Sequence, residues 1–202
     1  MEQAGAIFVA NGYRATSMSD LARGSNIAKP TLYTEFSGKL ELYLTVLQGA
    51  MDVLAATVDT ALHSAEGRRE RIEALVTALF ELTDTDSRAI LVIRPDDTGE
   101  PSVELRIRRM LSTCAATIGR ALGPESSSAA AQMLAMTLLT LVPRCAQDWV
   151  NAGRPISREE AIDTINMLCW NGIGDALRAC TDTAGVTSIR PSQRQSAPAF
   201  RR

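Results

Sequence analysis

Residues 16–39 read TSMSDLARGSNIAKPTLYTEFSGK, and this stretch decides how the rest of the chain is read. Ser17 and Asp20 form a Ser-x-x-acid start signal: the hydroxyl accepts from an orphan N–H, and the carboxylate answers the Ser17 N–H. The spacing predicts a helix from about Met18 to Gly24 with Leu21 and Ala22 facing inward, Ala22 being small enough to let a second helix cross closely. Asn26 falls where the chain must turn, and Asn tolerates the left-handed conformation better than any residue except Gly. Ile27 is expected to plug the corner. Pro30 sits in the first turn of a second helix, where its missing N–H is not needed. Leu32 and Phe36 then point back to the core, which leaves Lys29, Thr31, Tyr33 and Thr34 on the outer face.

This is the spacing of a helix-turn-helix, whose second helix enters the DNA major groove N-terminus first. An ordinary helical hairpin with a polar outer face has the same spacing, so spacing alone leaves both readings open. Charge does not decide between them. Residues 1–48 carry Arg14, Arg23, Lys29 and Lys39 against Glu2, Asp20, Glu35 and Glu41, a net of zero. DNA affinity leans on phosphate neutralisation, so a neutral head implies modest non-specific binding and reliance on a second head.

Outward from this stretch the chain reads as helical throughout. Its 202 residues suffice for one large or two small domains, and 46% hydrophobic content gives ample core. From Lys39, apolar residues recur at helical spacing: Leu40, Tyr43, Leu44, Leu47, Met51, Leu54, Val58, Leu62. That is one long helix linking head to body, broken at Gly67. Ile72, Leu75, Val76, Leu79 and Phe80 mark the next helix. A short helix from Ser87 to Ile93 ends at Pro95, and Val103 to Ile118 stripe another that ends at Gly123-Pro124. The stretch Ala129 to Trp149 is apolar on nearly every side, so both sides need cover, and a second subunit is the expected second cover. Pro143 should kink it. Gly153 and Pro155 stop it, Ser157 and Glu160 make a second capping box, and a final helix runs from Arg158 to Arg178.

Several function classes are excluded. His63 is the single histidine, and no G-x-S-x-G, Walker or zinc-ligand spacing occurs; catalysis needs a constellation of roles, so no enzyme, cofactor or metal is expected. Cys114, Cys145, Cys169 and Cys180 form no C-x-x-C pair and read as reduced core cysteines of a cytoplasmic protein. No signal-peptide pattern opens the sequence. The longest apolar tract, Ala129 to Val142, is shorter than the roughly 20 residues a membrane span needs, so no membrane partner is expected.

The segment from Ala6 to Leu47 resembles the DNA-binding domain of the TetR family of bacterial transcriptional regulators. Phe8, Gly12-Tyr13, Thr16, Leu21-Ala22, Ile27, Thr31-Leu32-Tyr33, Phe36 and Lys39 fall where that family's pattern places them. The resemblance implies an all-α fold of about nine helices: a helix-turn-helix DNA-binding domain at residues 1–48 and a helical effector-binding and dimerisation domain at 49–180. Beyond Thr181 the composition changes: residues 183–202 hold four Arg and no acid among Ser, Pro and Gln, which reads as a disordered basic tail at 181–202. The resemblance also implies phosphate contacts from Thr16, Tyr33 and Lys39 and base contacts around Lys29 and Thr31, with Ser17, Pro30 and Thr34 beside them; phosphate contacts fix register and base contacts give sequence choice. Candidate walls of an effector cavity are Leu79, Phe80, Leu91, Met110, Cys114, Met133 and Trp149. The last two long helices are expected to pair two subunits through Met133, Met136, Thr140, Arg144, Ile162, Ile165, Leu168 and Ile173. Such a homodimer would bind double-stranded, near-palindromic operator DNA, repress, and be released by a small-molecule effector.

Three departures from the family pattern stand out. The first helix is short and lacks a basic lead-in, which reads as a truncated start or an absent arm. Ala28 replaces the Ser or Thr that caps the recognition helix. Glu35 stands where the family has His or Tyr against a phosphate, and a carboxylate there repels the backbone. The short first helix, Glu35 and the zero net charge of the head keep a second reading open, a dimeric helical interaction protein whose DNA binding is weakened or lost.

Overall fold

The computed structural model describes residues 1–93, 98–122 and 129–173. Among these the chain is all-helical, as expected, with nine α-helices: α1 Glu2–Ala15, α2 Met18–Gly24, α3 Lys29–Glu35, α4 Lys39–His63, α5 Arg68–Thr85, α6 Ala89–Ile93, α7 Pro101–Ala121, α8 Ala129–Asn151 and α9 Arg158–Leu168. A single π-helical turn, Cys169–Ile173, follows α9. The expected helix stops at Pro95 and Gly123-Pro124, the end of the last helix at Arg178, Cys180 and the 181–202 tail lie outside the described residues.

The head is built by local signals. Gly12, at φ 78°, breaks α1 near its end, a conformation that costs Gly nothing. The Ser17 hydroxyl accepts from the Asp20 N–H at 3.2 Å and the Asp20 carboxylate accepts from the Ser17 N–H at 3.1 Å, so the predicted capping box is formed. At the other end of α2, Asn26 adopts φ 53°. The Ile27 N–H then reaches the Ala22 carbonyl at 3.0 Å and the Asn26 N–H the Arg23 carbonyl at 3.3 Å, the two bonds of a Schellman stop. Leu21, Ala22 and Leu32 are buried and Phe36 is half-buried. Ile27 departs from expectation: it is 42% exposed, because the backbone bonds of the stop, not its side chain, close the corner.

One helix joins head and body. α4 buries Leu42, Tyr43, Val46 and Leu47 and continues, past residue 48, through Met51, Leu54 and Val58. Its front packs against α1, and its length packs against α5, α6 and α7. α8 lies against α5 and α7, α9 lies against α5, and the short α6 touches α4, α8 and α1. A single cluster of buried residues therefore runs from Ala4 to Cys169. Each fully buried Leu, Ile or Phe in it contributes about 1.5–3 kcal/mol relative to exposure.

Helix ends in the body follow the sequence signals. α8 runs on through the buried Pro143 and ends in a second Schellman stop, with Gly153 at φ 77° and the Arg154 N–H on the Trp149 carbonyl at 3.0 Å. The Ser157 hydroxyl accepts from the Glu160 N–H at 3.1 Å, the forward half of the expected box. At 23 residues α8 is, by length and composition alone, long enough to cross a membrane, although the Ala129 to Val142 tract by itself is not. Here it packs against protein on α5, α6 and α7.

Candidate nucleic-acid interface

α3 buries only Leu32, and Lys29, Pro30, Thr31, Tyr33 and Thr34 are all exposed. The Lys29 ammonium lies 5.9 Å from the Tyr33 ring centroid, and the Thr34 hydroxyl donates to the Pro30 carbonyl at 3.0 Å. Ala28 stands at the N-cap with no side-chain bond, as expected. Glu35 is exposed on the same short helix. Ser17 is exposed and its hydroxyl also donates to Asp20 at 2.5 Å. This bond, and then the one from the Ser17 N–H, hold the Asp20 carboxyl below its ordinary value, with a smaller contribution from Arg23. Arg23 lies 3.5 Å from Asp20.

Two residues expected at phosphates are turned inward. Thr16 is 1% exposed, and its hydroxyl donates to the Gly12 carbonyl at 2.6 Å. The break at Gly12 is what frees that carbonyl. The Lys39 ammonium donates to the carbonyls of Tyr13 and Thr16, both at 2.8 Å. Of the residues expected at DNA, those that face outward are Ser17 and the α3 residues Lys29, Pro30, Thr31, Tyr33 and Thr34.

The candidate effector walls pack as core. Leu79, Phe80, Leu91 and Cys114 are buried. Trp149 meets Phe80 at 5.2 Å between ring centroids, and its indole N–H donates to the Ile156 carbonyl at 3.0 Å. Cys114 lies 3.5 Å from the Met110 sulfur. Met133 is a correction: at 65% exposure it faces away from the interior. Sequence reasoning missed a groove of about 610 Å³ between α4 and α5, lined by Val53, Thr57, Thr60, Ala74, Thr77 and Glu81 among others. Its small residues lie beside the apolar stripe and gave no periodic signal. Burial raises the Cys114, Cys145 and Cys169 thiols, Cys169 to about 11, which matches unreactive core cysteines.

The two helices expected to pair subunits divide. Met133 and Arg144 of α8 are exposed, and Met136 and Thr140 are half-buried; their spacing puts all four on one outer face. On α9, Leu168 is exposed at 60%. Ile162 and Ile165 are corrections: each is only 8% exposed, because they share with Ala161 and Cys169 the face turned into this subunit's core. Met167, at 62% exposure, was missed and lies beside Leu168. The Ile173 side chain lies outside the described residues.

A short helix with an outward polar face, set by a Schellman turn on a capped partner helix, defines a helix-turn-helix head on a helical body. Residues 1–46 match the family model described as bacterial regulatory proteins, tetR family. The HTH-type transcriptional activator FasR of Mycolicibacterium smegmatis is 33% identical over 170 residues, 83% of this chain and 78% of that protein. The HTH-type transcriptional repressor KstR2 of Mycobacterium tuberculosis is 30% identical over 96 residues, 48% of each chain. The crystal structure of AibR in complex with isovaleryl coenzyme A and operator DNA has the same fold at 18% identity, with TM-score 0.68 over 82% of this chain and 92% of that one. The chain belongs to the TetR family. It is a helix-turn-helix, DNA-binding transcriptional regulator.

Proposed function

We propose that the protein reads a near-palindromic operator with α3, Lys29, Pro30 and Thr31 facing bases while Ser17, Tyr33 and Thr34 meet the backbone. One observation carries this assignment: α3 buries a single side chain and turns the rest of its surface outward. The head is residues 1–48, the effector-binding and dimerisation body 49–180, and the tail 181–202. In the absence of effector the dimer holds its operator and represses, in the cytoplasm and without catalysis. The effector is an acyl thioester of coenzyme A. Supporting it are AibR's complex with such a thioester and the apolar side chains that α5 and α8 turn into the body. Replacing Thr31 should change base preference, whereas replacing Tyr33 should weaken binding to every sequence alike; equal effects on selected and random duplexes refute the division. Isovaleryl coenzyme A should raise the melting temperature and release the duplex where coenzyme A alone does neither. If both behave alike, the effector reading fails.

A second reading rests on Glu35, exposed on α3 in a head of zero net charge. It is a dimeric interaction protein with weakened DNA binding, and absence of any gel shift at low salt would favour it.

A further inference from the structure

Lys39 opens α4, where a cation sits at the positive end of its own helix dipole. Its ammonium turns away from α4. It donates to the Tyr13 carbonyl and to the Thr16 carbonyl, each at 2.8 Å, and lies 4.2 Å from the centroid of the Tyr13 ring. Tyr13 lies in the last turn of α1, where helical C=O groups lack full intrahelical partners and the dipole is negative, and Thr16 is its extended C-cap; the Tyr13 carbonyl also accepts from the Thr16 N–H at 3.2 Å. A third carbonyl of the same turn, Gly12, is taken by the Thr16 hydroxyl at 2.6 Å. Tyr13 in turn meets Tyr43 of α4 edge-on at 5.1 Å, and Tyr43 meets Phe8 of α1 at 5.0 Å.

Residues 12–17 are the covalent link between α1 and the α2–α3 pair, and the break at Gly12 removes helical rigidity at that link. What replaces it is a clamp from α4, made by one ammonium, two carbonyls and an aromatic face. Just beyond the clamp, Ser17 caps α2, and α2 fixes α3 through the Asn26 turn. An error in the angle of the 12–17 link therefore carries directly to α3.

We propose that Lys39 is a positioning residue for DNA recognition: it sets the angle at which α2 and α3 are presented and does not neutralise a phosphate. The inference rests on α3 being the helix that enters the groove. Lysine suits the role because a compact ammonium converges three donors on neighbouring acceptors. A planar guanidinium, with its fixed fork, does not reproduce that arrangement.

The test uses the full chain and a duplex selected by the wild-type protein from a random-sequence pool. Affinities of wild type, Lys39→Met and Lys39→Arg are measured across a salt series, with circular dichroism to confirm that each variant is folded. Amide hydrogen exchange of residues 13–22 is followed in the DNA-free proteins. Both variants should lose about tenfold or more in affinity for the selected duplex, as expected for loss of charge-assisted bonds. The slope of log affinity against log salt should stay at the wild-type value, and exchange in residues 13–22 should quicken. A phosphate contact predicts the opposite: a slope reduced by about 0.9 per head in Lys39→Met, rescue by Lys39→Arg, and unchanged exchange. Either that pattern or unchanged affinity overturns the inference. A wild-type chain that selects no duplex sinks the groove reading itself and takes this inference with it. If Lys39→Met does not fold, Lys39→Arg carries the test, since only a phosphate role lets it bind normally.

Discussion

Arg88 lies across Gly5. A Cβ built on Gly5 would stand 2.5 Å from Arg88 Cγ, 2.7 Å from Cδ and 3.2 Å from Val46 Cγ1. Arg88 is not free to retreat, because Asp86 holds it with bonds of 2.6 Å and 2.8 Å and both side chains are largely buried. Arg88 stands immediately before α6, the short body helix that touches α1. This is a point where the body bears on the first helix of the head. Gly5→Ala should destabilise the protein by about 1–3 kcal/mol, the usual range for overpacking. The same change in an Arg88→Ala background should cost clearly less, which a double-mutant cycle in urea measures.

The bare N-terminus of α3 offers a gain. Ala28 is extended, at φ −62° and ψ 136°, with no side-chain bond to the helix it precedes. That is the backbone a Ser cap adopts. Ala28→Ser should raise stability by about 1 kcal/mol, read as an upward shift of the denaturation midpoint with unchanged slope.

Acid should weaken the head and its junction with the body. Hydrogen bonds from Ser17 hold Asp20 below its ordinary value, those from Ser37 do so for Glu41, and Arg88 does so for Asp86. A carboxyl depressed in the folded state stabilises above its unfolded pKa, and that stabilisation is lost as pH falls through the folded pKa. Stability should therefore hold from neutrality down to the ordinary carboxylate range, about pH 4, and fall below it. Ser17→Ala removes the largest cause of the Asp20 depression. It should move the Asp20 carboxyl resonance titration upward in pH and make the acid loss shallower.

What was legible in the sequence was local. Ser17 with Asp20, Asn26 at its left-handed turn, and Leu21, Ala22 and Leu32 all act within a few residues of themselves, and the structure keeps each as read. Lys39 was not legible, because its partners lie 26 and 23 residues away and depend on how α1 ends. Thr16, expected at a phosphate, is buried with its hydroxyl on the Gly12 carbonyl four residues back, an acceptor that depends on how α1 ends. On α9 the helical period found an apolar face but could not say which neighbour covers it. Ile162 and Ile165 proved to face their own core, while Met167 and Leu168 face outward.

That division makes a test of the dimer. Met133→Glu with Leu168→Glu places charges on exposed positions of the outer faces and should give folded monomers at micromolar concentration, seen by sedimentation. Operator binding should weaken with them. Ile165→Glu should instead lose helical signal, because it forces a charge into the subunit core.

The central claim is that α3 enters a DNA groove, one helix from each of two subunits. Footprinting of the full-length protein on a duplex it has selected tests this most directly. Two protected major-groove half-sites should appear, their centres about 10 bp or a multiple of it apart, with Thr31→Ala altering base preference inside both. No protection at low salt, or protection that Thr31 and Tyr33 substitutions leave unchanged, would contradict it.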